Sequence, residues 1–225
     1  MLSNLHTSAM KAADKVTTIR IILAPVFFIL CNGTVFFSSV LPVSTPLIPV
    51  AEFFRYCQIP LLWIVFIAAE VTDMLDGMIA RKRGEVSDFG KFYDPFADTL
   101  FQVTMFFCFV WHRILPVIPF LLVLYREFAI LFVRNLMQKK GISMGARMGG
   151  KIKTVVYISA GCLALAVFSL RLLTIQFPGT LPAGLYSRLY PLLSRAAVAV
   201  FLAAVLLSIL SFADYVKVYL KSSRQ

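Results

Sequence analysis

Apolar residues fall in long blocks along this 225-residue chain, and polar residues gather in the short stretches between them. Six blocks approach the roughly 20 residues that a helix needs to cross a bilayer. They run from about Thr17 to Phe37, Ile59 to Ala80, Gly90 to Trp111, Pro116 to Lys139, Thr154 to Leu170 and Leu192 to Phe212. The pattern predicts an all-α integral membrane protein of six transmembrane helices, one domain over 1–225. A short interfacial helix is expected over 1–15, with Lys11 and Lys15 at the headgroups, then the bundle over 17–215 and a basic tail over 216–225. Stretches 38–57, rich in Ser, Pro and Thr, and 171–190, with Pro178, Gly179, Pro182 and Gly184, are predicted as external loops. Trp111 is expected to anchor its span at the interface.

Composition agrees: 60% of residues are hydrophobic and mean hydropathy is +0.84, too apolar for a soluble domain. A net charge of +11 raises nucleic acid as a partner, but the basic residues cluster in short loops between apolar blocks. That is the positive-inside pattern, and it suits anionic lipid headgroups instead. Lys and Arg concentrate at the termini and in the 81–91 and 139–153 turns, so both ends are expected in the cytoplasm and the number of spans even. Residues Met1 to Asp14 lack an apolar core, so no cleavable signal peptide is expected. Cys31, Cys57, Cys108 and Cys162 have no metal spacing and are expected to be reduced apolar filler.

The chemistry concentrates where the second and third blocks face the basic turn. Asp73, Asp76, Gly77, Ala80, Arg81, Gly90, Asp94 and Asp98 form the pattern D-x2-D-G-x2-A-R-x8-G-x3-D-x3-D. Acids near a membrane are costly, about 2.5–3.5 kcal/mol each at mid-bilayer, and usually serve a site. Asp73 and Asp76 are i,i+3, Asp94 and Asp98 i,i+4, so each pair shares a helix face. Two such helices side by side bring four carboxylates together, and like charges that close need protons or cations between them. All-oxygen ligation suits Mg²⁺ or Mn²⁺. Gly77 and Ala80, i+4 and i+7 from Asp73, let a ligand approach the backbone, and Arg81 can reach a phosphate.

This pattern resembles the signature of the CDP-alcohol phosphatidyltransferases, with every signature position filled. The resemblance implies a CDP-linked lipid donor, a reaction that displaces CMP, and two divalent ions held by Asp73, Asp76 and Asp94. It makes Asp98 the general base for the acceptor hydroxyl and a further metal contact. Gly77, Ala80 and Gly90 would make room for the cytidine, with Asp73 beside them and Arg81 on the diphosphate. Asp14, Thr17, Arg20 and Pro25 resemble the family's N-x2-T-x2-R-x4-P stretch, with Asp14 where Asn is usual. Two readings stand for Thr17 and Arg20: they face the nucleotide, or they are a helix cap and a snorkelling arginine.

A second cationic cluster bears on the acceptor. In the six-span topology Arg126, Arg134, Lys151 and Lys153 converge near the acids, and a phosphorylated acceptor needs such a cradle. R-E-x6-R at Arg126–Arg134 and G-K-x-K-T at Gly150–Thr154 resemble the phosphatidylglycerophosphate synthase branch, which implies glycerol 3-phosphate as acceptor and CDP-diacylglycerol as donor. Alternatively, Lys151 and Lys153 only mark the inner end of a span and Arg126 pairs with Glu127 or another acid. Inositol phosphate, phosphatidylglycerol or serine as acceptor stays open, and so does a different class, a carboxylate-lined cation transporter. Against the latter stand the absence of a repeat and the acids' gathering toward one side. The family further implies a homodimer, with the apolar faces of spans three to five available to pair. The site is expected to face the cytoplasm from the inner membrane.

Overall fold

A computed structural model of the chain describes residues 12–40, 48–83, 90–139 and 148–222. They form six α-helices: α1 (Ala12–Val40), α2 (Ile48–Arg83), α3 (Gly90–Trp111), α4 (Val117–Lys139), α5 (Met148–Gln176) and α6 (Ala183–Ser222). Among the described residues, four stretches are long and apolar enough to cross a membrane: Val16–Gly33, Glu52–Leu75, Ile152–Gln176 and Ala183–Lys217. They mark a multi-pass membrane protein. The acids and arginines that α3 and α4 carry keep those helices out of that set.

The boundaries of α3 and α4 follow the apolar blocks closely, but α2, α5 and α6 run past them. Residues 48–57, expected in a loop, are the first turns of α2. Tertiary packing extends the helix there: the Phe54 ring lies against Gly33 of α1, and Gln58 Nε2 donates to Leu30 O at 2.7 Å. The predicted 171–190 loop is likewise mostly helical. α5 continues to Gln176, whose amide donates to Gln58 Oε1 at 2.9 Å. Around Pro178 and Gly179 the chain turns, with Gly179 at φ +88°, a conformation glycine adopts without a Cβ penalty. Pro182 O then accepts from Leu185 N and Tyr186 N, opening α6. Of the predicted interfacial segment, residues 12–15 are the beginning of α1, and residues 1–11 lie outside the described residues.

The core is aromatic. Phe27, Phe101, Phe106, Phe109, Phe168 and Phe201 are all buried; Phe27 meets Phe101 and Phe109 edge-on at 5.7 and 6.1 Å. α1 packs on α2 and α3, α5 on α6, and α4 bridges α3 and α6. At Gly161 an added Cβ would meet the Met105 side chain at 2.7 Å and Phe66 at 3.2 Å, so α5 passes very close to α3 and α2 there.

One end of the bundle is tied mostly by uncharged polar groups. Besides the Gln58–Gln176 pair, His112 Nε2 lies 3.2 Å from Cys31 O, the imidazole sits 4.6 Å from the Phe168 ring, and Arg171 donates to His112 O at 3.0 Å. The four cysteines are free thiols.

Candidate active site

The buried charges, Arg20, Arg126 and Glu127, lie toward the other end. α1 antiparallel to α2 and roughly alongside α3 brings Thr17 and Arg20, one turn apart, opposite the acids. Both are buried, Arg20 to 2% exposure. Arg20 Nη1 is 3.3 Å from Asp73 Oδ1 of α2 and forms a close ion pair with Asp98 Oδ1 of α3. Thr17 Oγ1 donates to Asp94 Oδ1 at 2.6 Å, and the Thr18 and Tyr93 hydroxyls lie 3.0 Å apart. Two carboxylates from different helices therefore converge on one cationic nitrogen, with a third held one turn away. The Asp73 and Asp98 side chains keep 42% and 35% exposure, so both carboxylates stay within reach of a ligand although Arg20 fills the point between them.

Of the two readings of Arg20, the snorkelling one is overturned. A snorkelling arginine exposes its head, whereas this guanidinium is buried against two acids, which compensate its charge. Among the described residues no three His, Cys, Asp or Glu side chains close into one group. Asp76, Gly77, Ala80 and Arg81 lie on α2 and Lys151 on α5, but their side chains fall outside the described residues. Gly90 is buried at the start of α3.

On the far side of Asp98 opens a cavity of about 110 Å³. Asp98, Thr99 and Gln102 of α3 form one wall, Arg126, Glu127 and Arg134 of α4 a second, and Lys153 of α5 with Ser211 and Tyr215 of α6 close it. Three of the four predicted cradle cations thus line the same space as Asp98. Arg126 pairs with Glu127, as the second reading of the cluster has it, and Lys153 pairs with the same carboxylate. Glu127 Oε1 accepts from Arg126 Nη1 at 2.9 Å and from Lys153 Nζ at 2.5 Å. The Tyr157 hydroxyl is within hydrogen-bond distance of that same oxygen (3.1 Å) and of Ser208 Oγ (2.9 Å). Arg126 Nε donates to Ser208 O at 3.1 Å. Arg134 is freer: its guanidinium stands 5.5 Å from the Tyr215 ring centroid and 3.4 Å from that hydroxyl.

Tyr157, Ser208, Ser211 and Tyr215 are the residues that sequence reasoning missed, and Glu127 was read only as a partner of Arg126. Signals for them exist. Tyr157 is i+4 from Lys153, and Ser208, Ser211 and Tyr215 sit at i, i+3, i+7 in an otherwise apolar block, a polar stripe on one helix face.

Residues 10–210 match the family model of the CDP-alcohol phosphatidyltransferases. The chain belongs to that family. Among curated relatives, a CDP-diacylglycerol–glycerol-3-phosphate 3-phosphatidyltransferase of Treponema pallidum (strain Nichols) is 37% identical over 156 residues, 69% of this chain and 68% of the relative. One of the same name from Bacillus subtilis (strain 168) is 35% identical over 165 residues, 73% of this chain and 81% of its own. A probable phosphatidylglycerophosphate synthase of Mycobacterium tuberculosis (strain ATCC 25618 / H37Rv) is 31% identical over 154 residues, 68% and 63% of the two chains. For a CDP-alcohol phosphatidyltransferase the geometry divides in a useful way. The carboxylates and Arg20 form one compartment, the basic cavity another, and Asp98 belongs to both.

Proposed function

We propose that this chain transfers a phosphatidyl group from CDP-diacylglycerol to glycerol 3-phosphate, releasing CMP and forming phosphatidylglycerophosphate. The observation that carries the reading is the cavity shared by Asp98, Arg126, Arg134 and Lys153. There a carboxylate able to take a hydroxyl proton stands beside a cradle suited to a phosphorylated alcohol. Charge supports it as well. Glu127 offsets one of the three cations and Arg20 offsets Asp98, leaving a net charge that matches a phosphate monoester, about −1.5 to −2 near neutral pH. Serine, a zwitterion with one carboxylate and no phosphate, brings less negative charge to such a cradle. A lipid acceptor such as phosphatidylglycerol meets a small polar space instead of an apolar one.

The roles follow from position. Arg126, Lys153 and Arg134, with Lys151 expected beside them, bind the acceptor phosphate and hold the hydroxyl toward Asp98. Asp98 accepts the proton as the acceptor oxygen bonds to the donor phosphorus next to diacylglycerol, and the bond from that phosphorus to the CMP oxygen breaks. Asp73, Asp76, Asp94 and Asp98 are the ligands for two Mg²⁺ or Mn²⁺ ions. The fit rests on Asp73 and Asp98 aiming at one cation position and on an all-oxygen donor set. Bound there, the ions would neutralise the donor diphosphate and steady the leaving group. Thr17, Arg20, Gly77, Ala80, Arg81 and Gly90 surround the CDP moiety.

The same reading makes the chain a single six-span domain of the inner membrane, both termini and the site on the cytoplasmic side, where a CTP-derived donor is made. It pairs as a homodimer, and the exposed Phe107 and Trp111 of α3 and Ile118 and Leu122 of α4 are apolar surface available for that. The test is CMP release from CDP-diacylglycerol by the purified protein. It should require both glycerol 3-phosphate and Mg²⁺ or Mn²⁺. Equal release with inositol phosphate, or release indifferent to the acceptor, would overturn the assignment.

A further inference from the structure

Arg20 occupies the point at which Asp73 and Asp98 converge, and that is where the proposed divalent ions would have to act. Its guanidinium is buried, and Nη1 is shared between carboxylates of two helices. A buried arginine needs such compensation, and a second cation cannot enter the same point without repelling it. The carboxylates in turn have Arg20 as their counter-charge; without one they would push α2 and α3 apart. Thr17, one turn earlier on the same face of α1, keeps Asp94 attached by a hydrogen bond from an uncharged hydroxyl, which no incoming cation has to repel. The site is therefore closed at Asp73 and Asp98 by an arginine and at Asp94 by a hydroxyl.

We propose that Arg20 is the resident counter-cation of the free enzyme. It gives way when divalent ions load the aspartates, and then takes the donor's diphosphate, whose paired oxygens suit a planar, forked guanidinium. The exchange couples metal loading to donor binding. It also frees Asp98 from its ion pair with Arg20. The inference rests on the phosphatidyl-transfer reading of this site.

The experiment uses the full chain in detergent, with Mn²⁺ binding read by electron paramagnetic resonance and CDP-diacylglycerol binding measured separately. Arg20→Gln should bind Mn²⁺ about tenfold tighter than the unaltered protein when no donor is present, because the competing charge is gone. Its affinity for CDP-diacylglycerol in Mn²⁺ should fall by about the same factor, with Arg20→Lys between the two in both measurements. A merely structural role would weaken both, and a role in donor binding alone would leave Mn²⁺ affinity unchanged; either result overturns the proposal. Should the variants fail to fold, the unaltered protein decides the matter by nitrogen NMR of arginine side chains. Titration with Mg²⁺ should shift one guanidinium signal and CDP-diacylglycerol should shift it again, and no guanidinium signal that responds to Mg²⁺ overturns the inference. No Mn²⁺ binding by the unaltered protein, with or without donor, would overturn the metal-dependent transfer reading itself. Metal-dependent turnover with an unresponsive Arg20 would overturn only the exchange.

Discussion

Asp98 is the residue on which two compartments meet: one of its oxygens holds Arg20 and its side chain lines the basic cavity. Asp98→Asn keeps the volume and can still accept a hydrogen bond, but it cannot take a proton. Turnover should drop by about 10²–10⁴-fold, while CDP-diacylglycerol still binds in an equilibrium measurement; unchanged turnover would remove Asp98 as the base. Arg134 makes the loosest contacts of the cradle, a ring face and one long hydrogen bond, so it is the member best able to close on an incoming phosphate. Loss of a charge-assisted contact costs about 1.5–3 kcal/mol. Arg134→Ala should therefore raise KM for glycerol 3-phosphate tenfold or more and leave KM for the CDP-lipid nearly unchanged; equal effects on both would argue against the cradle. At this scale the aspartates were the most legible part of the sequence, because four acids at helical spacing in an apolar block repel one another and cost too much to keep without a cation. Glu127 was read only as a neighbour of Arg126. That it gathers Lys153 and Tyr157 as well depends on α5, 26 and 30 residues away, and local spacing carries no such information.

Elements were legible where their ends coincide with changes in polarity and illegible where packing extends them. α3 begins at Gly90 and ends at Trp111 as the apolar block does. α2 instead starts at Ile48 inside a stretch that reads as a loop, since Phe54 and Gln58 find partners on α1 that no window of neighbouring residues reveals. The contact has a sharp consequence at Gly33, where a Cβ would fall 1.9 Å from the Phe54 ring. A ring wedged between helices has little room to yield, so Gly33→Ala should destabilise the bundle by about 1–3 kcal/mol. The α1–α2 crossing would loosen, and thermal unfolding in detergent should show it as a lower midpoint. An unchanged midpoint would mean the helices separate there without cost.

For the whole molecule, the all-α class and the multi-pass membrane character were present in the alternation of apolar and basic stretches. How the helices pack was not, because it depends on which small residue meets which ring. The molecule's pH response should come partly from the turn between α3 and α4. Burial against Phe168 and Cys31 lowers the pKa of His112 below the usual imidazole value; its hydrogen bond to Cys31 O opposes this, and Arg171 nearby adds to it. The unfolded chain therefore binds the proton more readily. This contribution to stability is complete above the ordinary imidazole value of about 6.5 and diminishes as pH falls through it. The melting temperature should decline from pH 7.5 to 5.5, and His112→Gln should flatten the decline; parallel curves for the two proteins would assign the effect to other groups.

The polar clasp that joins Gln58, Gln176, His112 and Leu30 lies at the end of the bundle away from the aspartates. Its ties are mostly between neutral groups, so salt and divalent ions have little leverage on it, whereas the opposite end is held by ion pairs that such solutes compete for. A salt step should thus part the helices like scissor blades about a fixed rivet. The mouth through which a nucleotide headgroup enters would widen while the rest of the fold keeps its shape.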